Sequence, residues 1–121
     1  MLTSSKSRAI KAKGTNWESA IVKYCEDNGI PATRRPKAGN KDNGDINLCD
    51  NLFTIEAKSV ARLDLPGFLA ELDVEMKNSK AHHGAVWIKK RGKTSPGDGY
   101  VVMSGDDFLE IVRYVDSAYR S

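Results

Sequence analysis

Residues 44–59 read GDINLCDNLFTIEAKS. Side chains along a β-strand point alternately to opposite faces, and this stretch sorts cleanly under that rule. Asp50-Asn51 suits a two-residue turn, because both residue types tolerate the positive φ such turns demand. Pairing then sets Cys49 against Leu52, Leu48 against Phe53, Asn47 against Thr54, Ile46 against Ile55 and Asp45 against Glu56. One face carries Ile46, Leu48, Phe53, Ile55 and Ala57, all apolar. The other carries Asp45, Asn47, Cys49, Thr54, Glu56 and Lys58, mostly polar.

Outward from this hairpin the elements alternate. Upstream, Trp17, Ile21, Tyr24 and Cys25 recur at helical spacing, with Thr15 or Asn16 as N-cap and Asn28-Gly29 as the stop. Residues 30–36 suit a short strand, and 37–44 form a Gly/Asn-rich loop. Downstream, Pro66 suits the first turn of a helix running to about Lys80, with Phe68, Leu69, Leu72 and Met76 on one face. Residues 85–89 read as a buried strand, 91–99 as a loop and 100–103 as another strand. Ser104 with Asp107 resembles a capping box and opens a last helix with Phe108, Leu109, Val112 and Val115 inward. The order is α-β-β-β-α-β-β-α, an α/β fold with a mixed central sheet flanked by helices.

Composition agrees with one soluble globular domain. The chain has 121 residues, 40% hydrophobic and 29% charged. No apolar run approaches the roughly 20 residues of a membrane helix. The first residues lack the apolar stretch of a secretory signal, so a cytoplasmic location is the expectation. Cys25 and Cys49 have no CxxC companion and read as reduced thiols in or near the core. Residues 1–13 read as a flexible basic arm and 14–121 as the domain. The net charge of +3 is unevenly spread. Lys6, Arg8, Lys11 and Lys13, then Arg34, Arg35, Lys37 and Lys41, then Lys89, Lys90, Arg91 and Lys93 form acid-free clusters, which points to a polyanionic partner. Lys11, Lys13, Arg34, Arg35, Lys37 and Lys41 are the candidate DNA contacts.

The hairpin's polar face holds the chemistry. Its register sets the Asp45 and Glu56 Cβ atoms about 5 Å apart. Like charges so placed repel, and a divalent cation between them removes the penalty. Oxygen ligands of this type suit Mg²⁺ or Mn²⁺. Lys58 lies on the same face, placed to reach a phosphate oxygen or an attacking water. An exposed hairpin face, with Lys58 merely paired to a carboxylate, is the competing account of the same spacing. Adjacent His82 and His83 point in different directions and make a poor two-histidine metal site. Trp87 reads as core, and Trp17 as either core or interface.

Asp45 followed by Glu56-Ala57-Lys58 resembles the PD-(D/E)XK nuclease motif, with Gly44 where that motif often has Pro. Lys13-Gly14 followed by Glu18 on the first helix is similar to the start of archaeal-type Holliday junction resolvases. The resemblance covers roughly residues 13–60. It implies a restriction-endonuclease-like core, metal ligation by Glu18, Asp45, Glu56 and Ala57, and catalysis by Glu18, Asp45, Glu56 and Lys58. It further implies an Mg²⁺-dependent endonuclease acting as a homodimer on branched double-stranded DNA. The serine those resolvases carry in the preceding loop is replaced here by Gly39, Asn40 and Lys41, so that role does not transfer. Another nuclease of the superfamily, repair-associated or restriction-like, is the alternative enzyme. A non-catalytic nucleic-acid-binding module would use the basic tracts equally well but leaves Asp45, Glu56 and Lys58 without a role.

Overall fold

The computed structural model describes residues 4–35 and 45–121, with the side chains of residues 4–7, 10, 11 and 15 outside that description. The element order is α1 (Ser4–Asp27), β1 (Ala32–Arg34), β2 (Ile46–Leu48), β3 (Phe53–Lys58), α2 (Leu65–Ser79), β4 (His83–Ile88), β5 (Tyr100–Val102) and α3 (Gly105–Arg120), with a 3-10 turn at Pro96–Asp98. The α/β order expected from the sequence is the one observed. The five strands form one mixed sheet in the order β1-β2-β3-β4-β5. Only β3 and β4 are parallel, and α2 makes the crossover between them.

The hairpin register is the expected one: Ile46 faces Ile55, Asn47 faces Thr54 and Leu48 faces Phe53. The turn is longer than two residues. Cys49, Asp50 and Asn51 all have positive φ, and the Leu52 N–H closes on the Cys49 carbonyl at 3.2 Å. The Cys49 N–H is diverted to the Pro31 carbonyl, 2.9 Å away, which takes Cys49 out of the ladder.

Helices cover both faces of the sheet. On one, Trp17, Ile21 and Cys25 of α1 pack against Ile46, Ile55 and Ala85. Ile21 is fully buried, worth roughly 1.5–3 kcal/mol of transfer free energy. Trp17 is therefore core, and its indole N–H donates to the Trp87 carbonyl at 3.0 Å. Trp87 is half-buried and donates in turn to the Pro96 carbonyl at 3.0 Å. On the other face, Phe68 and Leu72 of α2 pack against Val86 and Ile88. Asp64 caps α2 by accepting from the Gly67 N–H, and Pro66 sits in its first turn. Cys25 is buried and Cys49 half-buried, both as free thiols.

Two expectations and one competing account are overturned. First, α1 starts at Ser4 rather than at Thr15 or Asn16, so residues 4–13 belong to the helix. Ala, Lys and Arg are strong helix formers and dominate this stretch, enough to carry the helix through Gly14 at a cost of about 1 kcal/mol. Second, the polar face of the hairpin is not a solvent face. It lies under α2, where Thr54 and Glu56 are buried. Third, α3 does not turn Phe108, Leu109, Val112 and Val115 inward: none of its residues is buried. Among the described residues, no helix is long and apolar enough to cross a membrane.

Candidate active site

Each functional side chain is set by an element already described. Asp45 leads into β2, and its backbone is fixed on both sides: its N–H donates to the Ile55 carbonyl at 3.1 Å and its carbonyl accepts from the Arg35 N–H at 2.8 Å. Its carboxylate then reaches across the hairpin, where Oδ2 accepts from the Ala57 N–H at 2.8 Å. Asp45 is thereby held next to Glu56, on the strand end that also carries Lys58.

Glu56 is 7% exposed, which removes the account of an ordinary charged row on a wet hairpin face. Burying a carboxylate costs several kcal/mol unless charge or hydrogen bonding compensates. The compensating cation is Lys58. Its Nζ lies 3.4 Å from Glu56 Oε1 and 3.1 Å from Glu71 Oε2, and 4.9 Å above the Phe68 ring. Burial works against the Lys58 charge, but the Glu71 hydrogen bond and the fields of Glu56 and Glu71 outweigh it, and the ammonium pKa is raised.

Glu18 projects from α1 toward Asp45. Burial and the Asp45 carboxylate beside it push the Glu18 pKa up, while Arg34 pulls the other way. The Arg34 guanidinium donates to Glu18 Oε2 at 2.7 Å. Two carboxylates set side by side form an anionic pocket, and hard oxygens of this kind fit Mg²⁺ or Mn²⁺. Ala57 could add only its carbonyl oxygen, since its N–H is spent on Asp45.

The four expected catalytic residues are not brought together evenly. Glu18 sits with Asp45, while Glu56 and Lys58 sit with two acids of α2. Among the described residues, Glu56, Glu71 and Glu75 have ligand atoms within 4.8 Å of one another, whereas Glu18, Asp45 and Glu56 do not form such a set. Glu71 and Glu75 were missed in the sequence. The signal was an acidic pair four residues apart on the helix face that also holds Phe68 and Leu72. Glu75 is 1% exposed, a depth at which an acid on an otherwise apolar stripe is uncommon.

The candidate DNA contacts divide. Arg35 is half-buried, donating to Thr54 Oγ1 at 3.0 Å and to Asn51 Oδ1; it ties the sheet to the hairpin turn rather than facing outward. Arg34 is exposed but engaged with Glu18. Lys13 is exposed on α1. Lys11 lies in α1 with its side chain outside the described residues, and Lys37 and Lys41 lie outside them altogether. His83 is buried and bonds Asp107 through Nδ1 at 2.6 Å, at the sheet end opposite Lys58.

No family model, curated protein or solved structure matches the chain.

Proposed function

We propose that the protein is a metal-dependent DNA endonuclease of restriction-endonuclease-like fold, selective for branched DNA and suited to four-way junctions. The observation that carries this reading is the buried strand end where Asp45 grips the Ala57 N–H beside Glu56 and Lys58. Stability alone does not favour a carboxylate buried as deeply as Glu56, whereas metal-assisted phosphodiester hydrolysis uses such a carboxylate together with Asp45 and Lys58.

Glu18 and Asp45, which lie side by side, would hold Mg²⁺ or Mn²⁺; Glu56 and the Ala57 carbonyl are the further ligands the resemblance implies, and Glu56 would have to turn from Lys58 to join them. Such an ion supplies Lewis acidity at a phosphoryl oxygen and lowers the pKa of water. The chain's own groups do the rest. Asp45 fixes the hairpin end on which Glu56 sits. Lys58 offers its ammonium to the charge that builds on the phosphate oxygens during attack. Glu71 and Phe68, one helical turn apart on α2, hold that ammonium in place. Lys13 and Arg34 contribute electrostatic affinity for the backbone, which weakens as salt rises. A four-way junction offers two symmetry-related strands, so a homodimer with one site per subunit suits it. Recombination or repair is the process that supplies such substrates.

The test is cleavage of labelled four-way junction, linear duplex and single-stranded flap, each with Mg²⁺ or EDTA, beside Glu56→Gln. Paired nicks on the junction alone, requiring both metal and Glu56, support the reading. Cleavage of duplex or flap instead keeps the nuclease and retires the junction. Binding without cleavage, equal in wild type and variant, transfers the protein to the non-catalytic binding modules.

A further inference from the structure

The turn that leaves β4 carries four cations that the proposed site does not use. Residues 89–93 read Lys-Lys-Arg-Gly-Lys. Lys58 and Ile88 are partners across the parallel pair of β3 and β4, and the Lys89 N–H donates to the Lys58 carbonyl at 2.9 Å. The turn therefore begins one strand over from Lys58, a spacing of about 4.8 Å. Lys90, Arg91 and Lys93 are exposed and Lys89 is half-buried. Among the described residues, none of the four is ion-paired with a carboxylate.

This is a built turn rather than a loose loop. The Lys93 N–H closes on the Lys90 carbonyl at 3.1 Å, and Gly92 takes the positive φ of 78° that lets the chain reverse there. The chain returning to β5 is pinned as well. Pro96 is buried, and its carbonyl accepts from the Trp87 indole N–H. A Cβ at Gly97 would lie 2.5 Å from the Tyr24 hydroxyl, so this backbone is pressed against α1. Four like charges held on a fixed turn repel one another. A polyanion crossing the turn relieves that repulsion, and a turn already in place loses little conformational freedom on binding.

We infer that Lys90, Arg91 and Lys93 form a phosphate-binding rim for double-stranded DNA, on the far side of Lys58 from Arg34. Strand order sets that placement. β1, which carries Arg34, lies two strands from β3 on one side, and β4 adjoins β3 on the other. Both basic groups belong to the sheet end where Asp45, Glu56 and Lys58 lie. A DNA backbone laid across those strand ends meets cations before and after Lys58. Three exposed cations on a turn enclose no pocket for a small anion, whereas a duplex presents a charge about every 1.7 Å of its axis and can meet all three. Contacts of this kind fix position and read no sequence. The rim rests on the proposed DNA-cleaving function and adds named contacts to it.

The experiment is fluorescence anisotropy of labelled linear duplex and four-way junction, in EDTA so that nothing is cut, between about 0.05 and 0.2 M salt. Wild type is compared with Lys90→Ser plus Lys93→Ser, with Lys90→Arg plus Lys93→Arg, and with the control pair Lys77→Ser plus Arg113→Ser. The control removes the same charge from exposed positions. Lys77 lies in the last turn of α2 and Arg113 adjoins Tyr114 beside His83, both toward the opposite end of the sheet. The serine pair should weaken binding to both DNAs at least roughly tenfold at 0.15 M salt and lower the slope of log K against log salt by about two. The arginine pair and the control should keep the wild-type slope. All substitutions fall on exposed positions, so circular dichroism should show each variant folded. A serine pair that binds as wild type does overturns the inference, as does a control pair that loses as much, or a wild type that binds neither DNA. The nuclease reading fails separately: DNA held through this turn but left uncut in Mg²⁺ supports the rim and retires the nuclease.

Discussion

Lys58 Nζ lies 3.1 Å from Glu71 Oε2, a pair that joins the end of β3 to the helix covering it. The lysine is raised above its ordinary 10.5 despite burial. A lysine so raised stabilises the fold below pH 10.5, and that contribution fades as pH climbs through its folded-state value. Removing Glu71 lowers that value.

Glu71→Gln should therefore move the alkaline limb of single-turnover cleavage to lower pH and reduce the rate at its plateau about tenfold, leaving the KM for DNA within about twofold. Lys58→Ala should lose cleavage at every pH while still binding DNA. A Glu71→Gln profile superimposable on wild type would show that Glu71 plays no part in holding the ammonium.

Glu18 makes a prediction of opposite sign. Its carboxyl is raised above 4.5, so the folded state binds its proton more tightly than the unfolded chain does. Stability then falls as pH rises from 4.5 through the folded-state value, and the loss persists at neutral pH. Glu18→Gln removes that loss. The metal-free variant should melt about 2–4 °C above wild type at pH 7 and no higher at pH 4. Added Mg²⁺ should raise the wild-type Tm and leave the variant unmoved. Calorimetry at the two pH values, with and without Mg²⁺, checks all three.

Gly14 lies inside α1, and a Cβ there meets nothing within 4 Å. Gly14→Ala should stabilise the helix by about 0.5–1 kcal/mol, since alanine loses less backbone freedom on folding. Denaturant titration should show a higher midpoint with an unchanged slope.

Asp107 accepts from the Gly84 N–H and partners His83. Asp107→Ala leaves both groups without that acceptor beneath α3 and should cost about 1–3 kcal/mol. Hydrogen exchange at the Gly84 amide should speed up in step with the loss.

The hairpin was legible because alternation is a local signal. Ile46, Ile55 and Ala57 must share a face if Asp45, Glu56 and Lys58 share the other, and no distant contact is needed to say so. The turn was less legible: nothing local to Cys49 indicates that its N–H leaves the ladder for Pro31. The start of α1 was hidden because apolar periodicity begins only at Trp17, while residues 4–13 show their helix in the sequence through the propensity of Ala, Lys and Arg. The outward stripe of α3 was misread by default, since an apolar helical face is inward in most chains.

In the site, Asp45, Glu56 and Lys58 could be read off strand positions. Glu71 and Glu75 could not be tied to them, because the α2 crossover that returns those acids over Glu56 is a tertiary fact. The partners of Arg35 were hidden for a similar reason: a basic residue at a strand end looks outward until Thr54 and Asn51 are seen beneath it.

Strand order in the sheet repeats strand order in the chain, and one connection alone, from β3 to β4, must loop over through a helix. Contacts between neighbours in sequence form quickly, and the crossover is the step that must wait for a longer loop to close. Glu56 and Lys58 lie on the strand before that crossover, and Glu71 lies within it. A nascent or half-folded chain can therefore own its hairpin without the acids of α2 that close over it. On the proposed nuclease reading, the site would be complete only once that crossover has closed, and a half-folded molecule would spare the DNA around it.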